Sequence, residues 1–233
     1  MREIILDTET TGLETKQGHR IIEIGCLEMI NRSVTNNNIH FYINPERESD
    51  KDALKVHGLD TNFLSQKPKF IDIAKNLTDF LGESNVVAHN AKFDIEFINY
   101  ELDMCGYSKN RIHEDRVVDT LLLARKKFPG SPASLDALCK KFNINLSQRS
   151  KHGALIDASL LSQVYIELLG GRQKEFNIDT ALKIDSHNSK ENTEQKKIFT
   201  KRDQILTLSD EDLKKHNKLL QTIRKPIWKN FLI

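Results

Sequence analysis

The stretch IILDTETTG, residues 4–12, constrains this chain most, because it starts as a buried strand and then sets two acids where apolar side chains would continue. Ile4, Ile5 and Leu6 have the β-branched and apolar character of a core strand. Side chains alternate between the two faces of a strand, so Asp7 and Glu9 point to the same side. Two carboxylates about 4 Å apart repel by roughly 4 kcal/mol at an effective dielectric near 20. The pair needs a shared proton, a basic partner or a bound cation, unless the strand simply runs out into water after Leu6.

Alternating elements follow. RIIEIGCLEMI, 20–30, reads as a second strand and IHFYIN, 39–44, as a third, with Asn36, Asn37 and Asn38 as turn formers ahead of it. These three make an antiparallel meander. The polar segment 46–66 reads as loop with room for a short helix. Pro68 then opens an amphipathic helix in which Phe70, Ile73, Ala74, Leu77, Phe80 and Leu81 share one face, and Gly82 ends it. A short buried strand at 85–88 passes at Asn90 into a helical run from Ala91 to Cys105. Arg116, Val117 and Val118 form a fifth strand, followed by helices at 120–127 and 134–142 with Ser134 as N-cap of the second. A last helix runs from Leu155 to Leu169 and stops at Gly170 and Gly171. The order predicts an α/β fold, a mixed five-stranded sheet flanked by helices on both faces.

No apolar run approaches the roughly 18 residues of a membrane span, and residues 1–10 carry neither a signal nor a transit pattern. A cytoplasmic protein without membrane contact is expected. With 35 basic and 33 acidic residues the formal net charge is only +2, so contact with a polyanion has to be local or carried by metal. Cys26, Cys105 and Cys139, odd in number and widely spaced, read as reduced core thiols.

Beyond Arg172 apolar residues become sparse and lose their period, which predicts a flexible linker over 172–203 behind a domain of residues 1–171. A final helix begins at Ser209 with Asp212 as a capping acid, carries Leu213, Leu219, Leu220 and Ile223, and ends at Pro226 before Trp228, Phe231 and Leu232. A helix this short is marginal alone. Residues 204–233 are therefore read as a segment that docks on a partner.

Two more acids bear on the opening pair. Asp94 in HNAKFD lies in the first turn of a helix after a buried strand, where dipole effects alone favour an acid. Asp157 in HGALIDA sits on the late helix where an apolar residue would be as natural, and His152 precedes that helix on a loop. Each is weak alone. Together they place four acids and a histidine where side chains can converge at one sheet edge, with no matching basic partners, since Lys92 points away from Asp94 on its helix. Divalent cations with oxygen ligands, Mg²⁺ or Mn²⁺, are the economical way to hold such a set. Two such ions suit phosphodiester hydrolysis, and His152 suits the general base.

At these residues the sequence resembles a known family. IILDTETTG, HNAKFD and HGALIDA look like the three motifs, in order, of DnaQ-like DEDDh 3′ to 5′ exonucleases with a ribonuclease-H-like fold, over residues 1 to about 171. RIIEIG, VHG, SLDALC and the run from Tyr165 to Gly171 make it similar to the proofreading, epsilon-type members associated with bacterial DNA polymerase III. The resemblance implies that Asp7, Glu9, Asp94 and Asp157 are ligands of two divalent cations and that His152 is the catalytic base. It implies substrate contacts from Asp7, Glu9 and Asp157, from the Thr10 backbone and from His57, with Asp52 as an acid of the same pocket. Implied partners are a single-stranded DNA 3′ end, the polymerase III alpha subunit through the C-terminal segment, and a small accessory subunit on the exonuclease domain. A sliding-clamp contact is left open, because QKEFNI, 173–178, departs from the family's clamp-binding pattern.

Two other readings share these residues. A free-standing DEDDh ribonuclease trimming RNA 3′ ends would have the same site but little need of the tail. A non-catalytic subunit that stabilises a polymerase would have no reason to keep four uncompensated acids.

Overall fold

The computed structural model describes residues 1–147 and 152–171, together with Glu211, Lys214, Lys215, Lys218 and Leu219. The chain divides into two units, Met1–Asn177 and Ile178–Ile233. In the second, the five described residues are helical, and Lys215 Nζ pairs with Glu211 Oε1 at 3.4 Å. The expected linker over 172–203, the 173–178 segment, and the residues Asp212, Leu213, Leu220, Ile223 and Trp228 lie outside the described residues.

The first unit is built on five strands, β1 (Arg2–Thr10), β2 (Ile21–Ile30), β3 (Ser33–Tyr42), β4 (Asn85–Ala88) and β5 (Val117–Asp119), in the order β3-β2-β1-β4-β5. β1 pairs antiparallel with β2 and parallel with β4, so the expected mixed sheet forms with β1 at its centre. Among the described residues seven α-helices accompany it: α1 (Lys51–His57), α2 (Thr61–Ser65), α3 (Phe70–Leu81), α4 (Ala91–Met104), α5 (Thr120–Lys127), α6 (Leu135–Lys141) and α7 (Ala154–Leu168).

Alternation along β1 divides the interior. Ile4 and Leu6 face a core shared with Phe70, Leu77, Ile95, Phe97 and Ile98 of α3 and α4. Ile5 faces a second core with Leu138, Ala158, Leu161 and Val164 of α6 and α7. Both helix layers are thus anchored to one strand. Two polar contacts fix them further: the buried Glu101 of α4 accepts two hydrogen bonds from the Arg20 guanidinium at 2.7 and 2.6 Å, and the Tyr165 hydroxyl of α7 donates to Glu3 Oε1 at 2.8 Å.

Two local expectations need correction. The turn between β2 and β3 is Asn31–Arg32, both left-handed with φ of 51° and 65°, closing a hairpin whose last ladder pair is Ile30 and Ser33. Two successive positive φ values match the right-handed twist of paired strands. Asn36, Asn37 and Asn38 lie within β3 instead, at a register shift in the ladder, so these turn-forming residues mark a bulge. The polar segment after β3 holds two short helices, α1 and α2; Gly58 ends the first in a left-handed conformation and Asp60 caps the second through Phe63 N–H at 2.8 Å.

Candidate active site

The site lies beyond the carboxyl ends of the adjacent parallel strands β1 and β4, a crevice open α/β sheets use for ligands. Glu9, two residues from Asp7 and on the same face of β1, is half-buried. Asp157 projects from the first turn of α7, which packs on that face, and is 2% exposed. His152 stands just ahead of α7, its Nδ1 3.0 Å from Asp157 Oδ2. Ligand atoms of Glu9, His152 and Asp157 lie within 4.8 Å of one another.

Gly25 explains how α7 comes so close. It pairs with Asp7 across the β1–β2 ladder, and a Cβ there would fall 2.4 Å from Leu155 N and 2.5 Å from Ala154 C. Only glycine lets the start of α7 rest on the β2 backbone.

Asp94 reaches the site from the other layer. Asn90 turns the chain from β4 into α4 with φ 64°, a left-handed conformation that asparagine tolerates. Asp94 in the first turn of α4 then accepts hydrogen bonds at Oδ1 from Thr8 N–H at 3.0 Å and Thr8 Oγ1–H at 2.7 Å. Thr8 alternates with Asp7 and Glu9, so the acids of the two helices approach the end of β1 from opposite sides.

The electrostatics are those of buried carboxylates. Burial above all, then the charges of Asp157, Glu23 and Asp94, lifts the Glu9 carboxyl to about 7 from 4.5, although the facing His152 pulls it down. Burial likewise lifts Asp94 to about 7, against its hydrogen bonds from Thr8. A hard divalent cation among such carboxylates would favour their ionised forms.

Beside the acids lies a cavity of about 560 Å³ lined in part by Thr8, Glu9, Thr10, Asp52, His57 and Phe93. Thr10 is buried, its hydroxyl donating to Gly12 O at 2.6 Å. His57 is buried, and its Nδ1 accepts from Leu59 N–H at 2.9 Å, which leaves the ring proton on Nε2. Asp52 stands at the rim, exposed, its carboxylate paired with Lys55 at 2.8 Å. The structure thus brings Thr10 and His57 to the cavity that Glu9 lines, while the Asp52 carboxylate turns to solvent and Lys55. Another hollow, of about 690 Å³ along α4, contains none of the four acids.

Sequence reasoning missed Thr8, Gly25, Leu13, Val56 and Phe93. Leu13 carried a signal: it is an apolar residue in a polar loop, and it is 80% exposed at the cavity. Thr8 and Gly25 carried none, since their roles are contacts between elements distant in sequence.

A family model described as exonuclease matches residues 4–165. The DNA polymerase III subunit epsilon of Rickettsia felis is 45% identical over 229 residues, covering 97% of this chain and 98% of that protein. Its counterpart from Haemophilus influenzae is 36% identical over 240 residues, covering 99% and 94%. Among solved structures, exonuclease X in complex with 5′ overhanging duplex DNA superposes with a TM-score of 0.55 at 25% identity, over 72% of this chain and 91% of that one. The nuclease domain of 3′hExo, a DEDDh family member bound to rAMP, gives a TM-score of 0.62 at 17% identity over 72% and 92%, which bears on the fold. On likeness of that extent, the chain belongs to the exonuclease family and, within it, to the epsilon subunits of bacterial DNA polymerase III.

Proposed function

We propose that the chain is the proofreading subunit of a replicative DNA polymerase, removing mismatched nucleotides from a DNA 3′ end by hydrolysis. The observation that carries this reading is the approach of Glu9, His152 and Asp157 to within 4.8 Å, beside a cavity large enough for a terminal nucleotide. Asp7, Glu9, Asp94 and Asp157 would hold two divalent cations, Mg²⁺ or Mn²⁺, for which a set of carboxylate oxygens is the fitting donor type. Cations held there would supply charge stabilisation at the scissile phosphate and a lowered pKa for the attacking water.

The protein's own groups do the rest. His152, on the exposed side of the cluster, accepts the proton of the attacking water. Its contact with Asp157 Oδ2 steadies the ring. The Thr10 backbone and the His57 ring position the terminal nucleotide, and Phe93 with Val56 gives the cavity its apolar wall.

Residues 1–171 would form the exonuclease domain, 172–203 the tether and 204–233 the segment that docks on the polymerase alpha subunit. The polymerase association of its relatives supports this reading. A cytoplasmic location follows from it. Among the described residues no helix is long and apolar enough to cross a membrane.

The test is nucleotide release from the 3′ ends of mismatched DNA and of RNA in Mg²⁺, with and without chelator. Release from DNA that stops on chelation is expected. RNA trimming without DNA degradation would support the ribonuclease reading instead, and no hydrolysis of either would support the non-catalytic one.

A further inference from the structure

Glu23 is an acid in the interior that the proposed chemistry leaves without a task. It is 3% exposed, within a β2 run whose neighbours Ile21, Ile22 and Ile24 are fully buried and apolar. Burying a carboxylate is costly unless it is paired, so Glu23 calls for a partner. The partner is His40 of β3, whose Nε2 lies 2.7 Å from Glu23 Oε1. The His40 ring is itself backed by Tyr42, with centroids 4.7 Å apart.

Two neighbours show where the carboxylate is held. Glu23 pairs directly with Glu9 across the antiparallel β1–β2 ladder, so the two side chains share a face. Its Oε1 is also 3.7 Å from the point where a side chain on Gly153 would begin. Gly153 is the N-cap residue of α7 and follows His152 in the chain. Glu23 thus stands between the Glu9 strand and the start of the helix that bears Asp157.

We infer that Glu23, held by His40, is a positioning residue for the reaction, a fixed anion that braces the Glu9 and α7 walls of the cation site and adds to its negative field. It need not touch the substrate or the cations. The charge raises the site's affinity for a divalent ion, while the His40 contact keeps the carboxylate from turning toward Glu9. The second residue of the pair therefore sets geometry and the first sets field, and substitutions can separate the two. The inference rests on the reading of Glu9 and Asp157 as cation ligands.

The experiment uses the full chain and titrates Mn²⁺ by electron paramagnetic resonance without DNA. It adds kcat for a mismatched DNA 3′ end at saturating Mg²⁺ and melting in EDTA. Glu23→Gln keeps the shape and removes the charge, so it should weaken Mn²⁺ binding at least threefold while kcat at saturating metal stays within about twofold. His40→Ala keeps the charge but releases it, and should lower kcat about tenfold; His40→Gln, which restores an N–H donor, should recover most of that loss. Parental Mn²⁺ binding in Glu23→Gln together with parental kcat in His40→Ala would overturn the inference, even with a lower melting temperature, because Glu23 would then be structural only. If the parent binds Mn²⁺ yet degrades no DNA, the exonuclease reading fails, and the Mn²⁺ comparison alone decides the role of Glu23.

Discussion

Thr8 donates both its backbone N–H and its hydroxyl to a single oxygen of Asp94, at 3.0 and 2.7 Å, tying a helix acid to the strand that carries Asp7 and Glu9. Thr8→Val keeps the shape and the backbone bond but removes the hydroxyl. Losing one of the two hydrogen bonds costs about 0.5–1.5 kcal/mol, and if Asp94 holds a cation as proposed, weakening its support costs about 10–100-fold in activity or affinity. Chemical denaturation should show that loss of stability, and single-turnover DNA hydrolysis at saturating Mg²⁺ a drop of at least about tenfold.

Gly25→Ala tests the contact between β2 and α7. A methyl group 2.4 Å from Leu155 N has no flexible side chain to push aside, only helix backbone. Such overpacking costs about 1–3 kcal/mol. The variant should fold with reduced stability and lose most exonuclease activity as Asp157 moves away from Glu9. Normal turnover would show that α7 can shift without consequence for the site.

The Glu9 carboxyl predicts a pH profile for the metal-free protein. Its folded-state pKa of about 7 lies above the ordinary 4.5. A raised pKa means that its contribution to stability is full below about 4.5 and lost as pH rises through about 7. Asp94, also lifted to about 7, acts in the same direction. In EDTA, stability should therefore decline between about pH 5 and pH 8, and Mg²⁺ should restore it at pH 8 by binding the folded form. Glu9→Gln should flatten the decline while abolishing hydrolysis. Denaturation curves at pH 5.5 and 8, with EDTA or Mg²⁺, decide the matter; a flat parental profile in EDTA would contradict it.

Asp7→Ala should abolish turnover and leave the fold intact, because Asp7 is only half-buried, beyond the apolar run of β1. Circular dichroism and DNA hydrolysis measured on the same preparation separate loss of chemistry from loss of structure.

Truncation after Gly171 should keep hydrolysis and lose co-purification with the polymerase catalytic subunit. Continued binding by the shortened chain would place the docking surface on the exonuclease domain.

What could be read from the sequence follows the range of the forces involved. β1 announced itself by its apolar run and its acids, and α3 by a 3.6-residue period that ends at Gly82. Ser134 caps α6 through Ala137 N–H, as its position before an apolar run implies. These are local signals. The β2–β3 turn was misplaced because three asparagines outweighed Asn31–Arg32, whose left-handed backbone only the ladder reveals. Glu9, Asp94, His152 and Asp157 stood out by chemistry. The grip of Thr8 on Asp94, the flat seat that Gly25 offers α7, and the pairing of Glu23 with His40 depend on residues far apart in the chain.

The two cores on either side of β1 give this nuclease a safeguard. Asp94 rides on the helix layer of one core and Asp157 on that of the other, so loosening either layer pulls one acid from the end of the strand. If the four acids act together as proposed, a copy with either layer loosened would no longer hydrolyse DNA ends, so the nuclease would fail by falling silent.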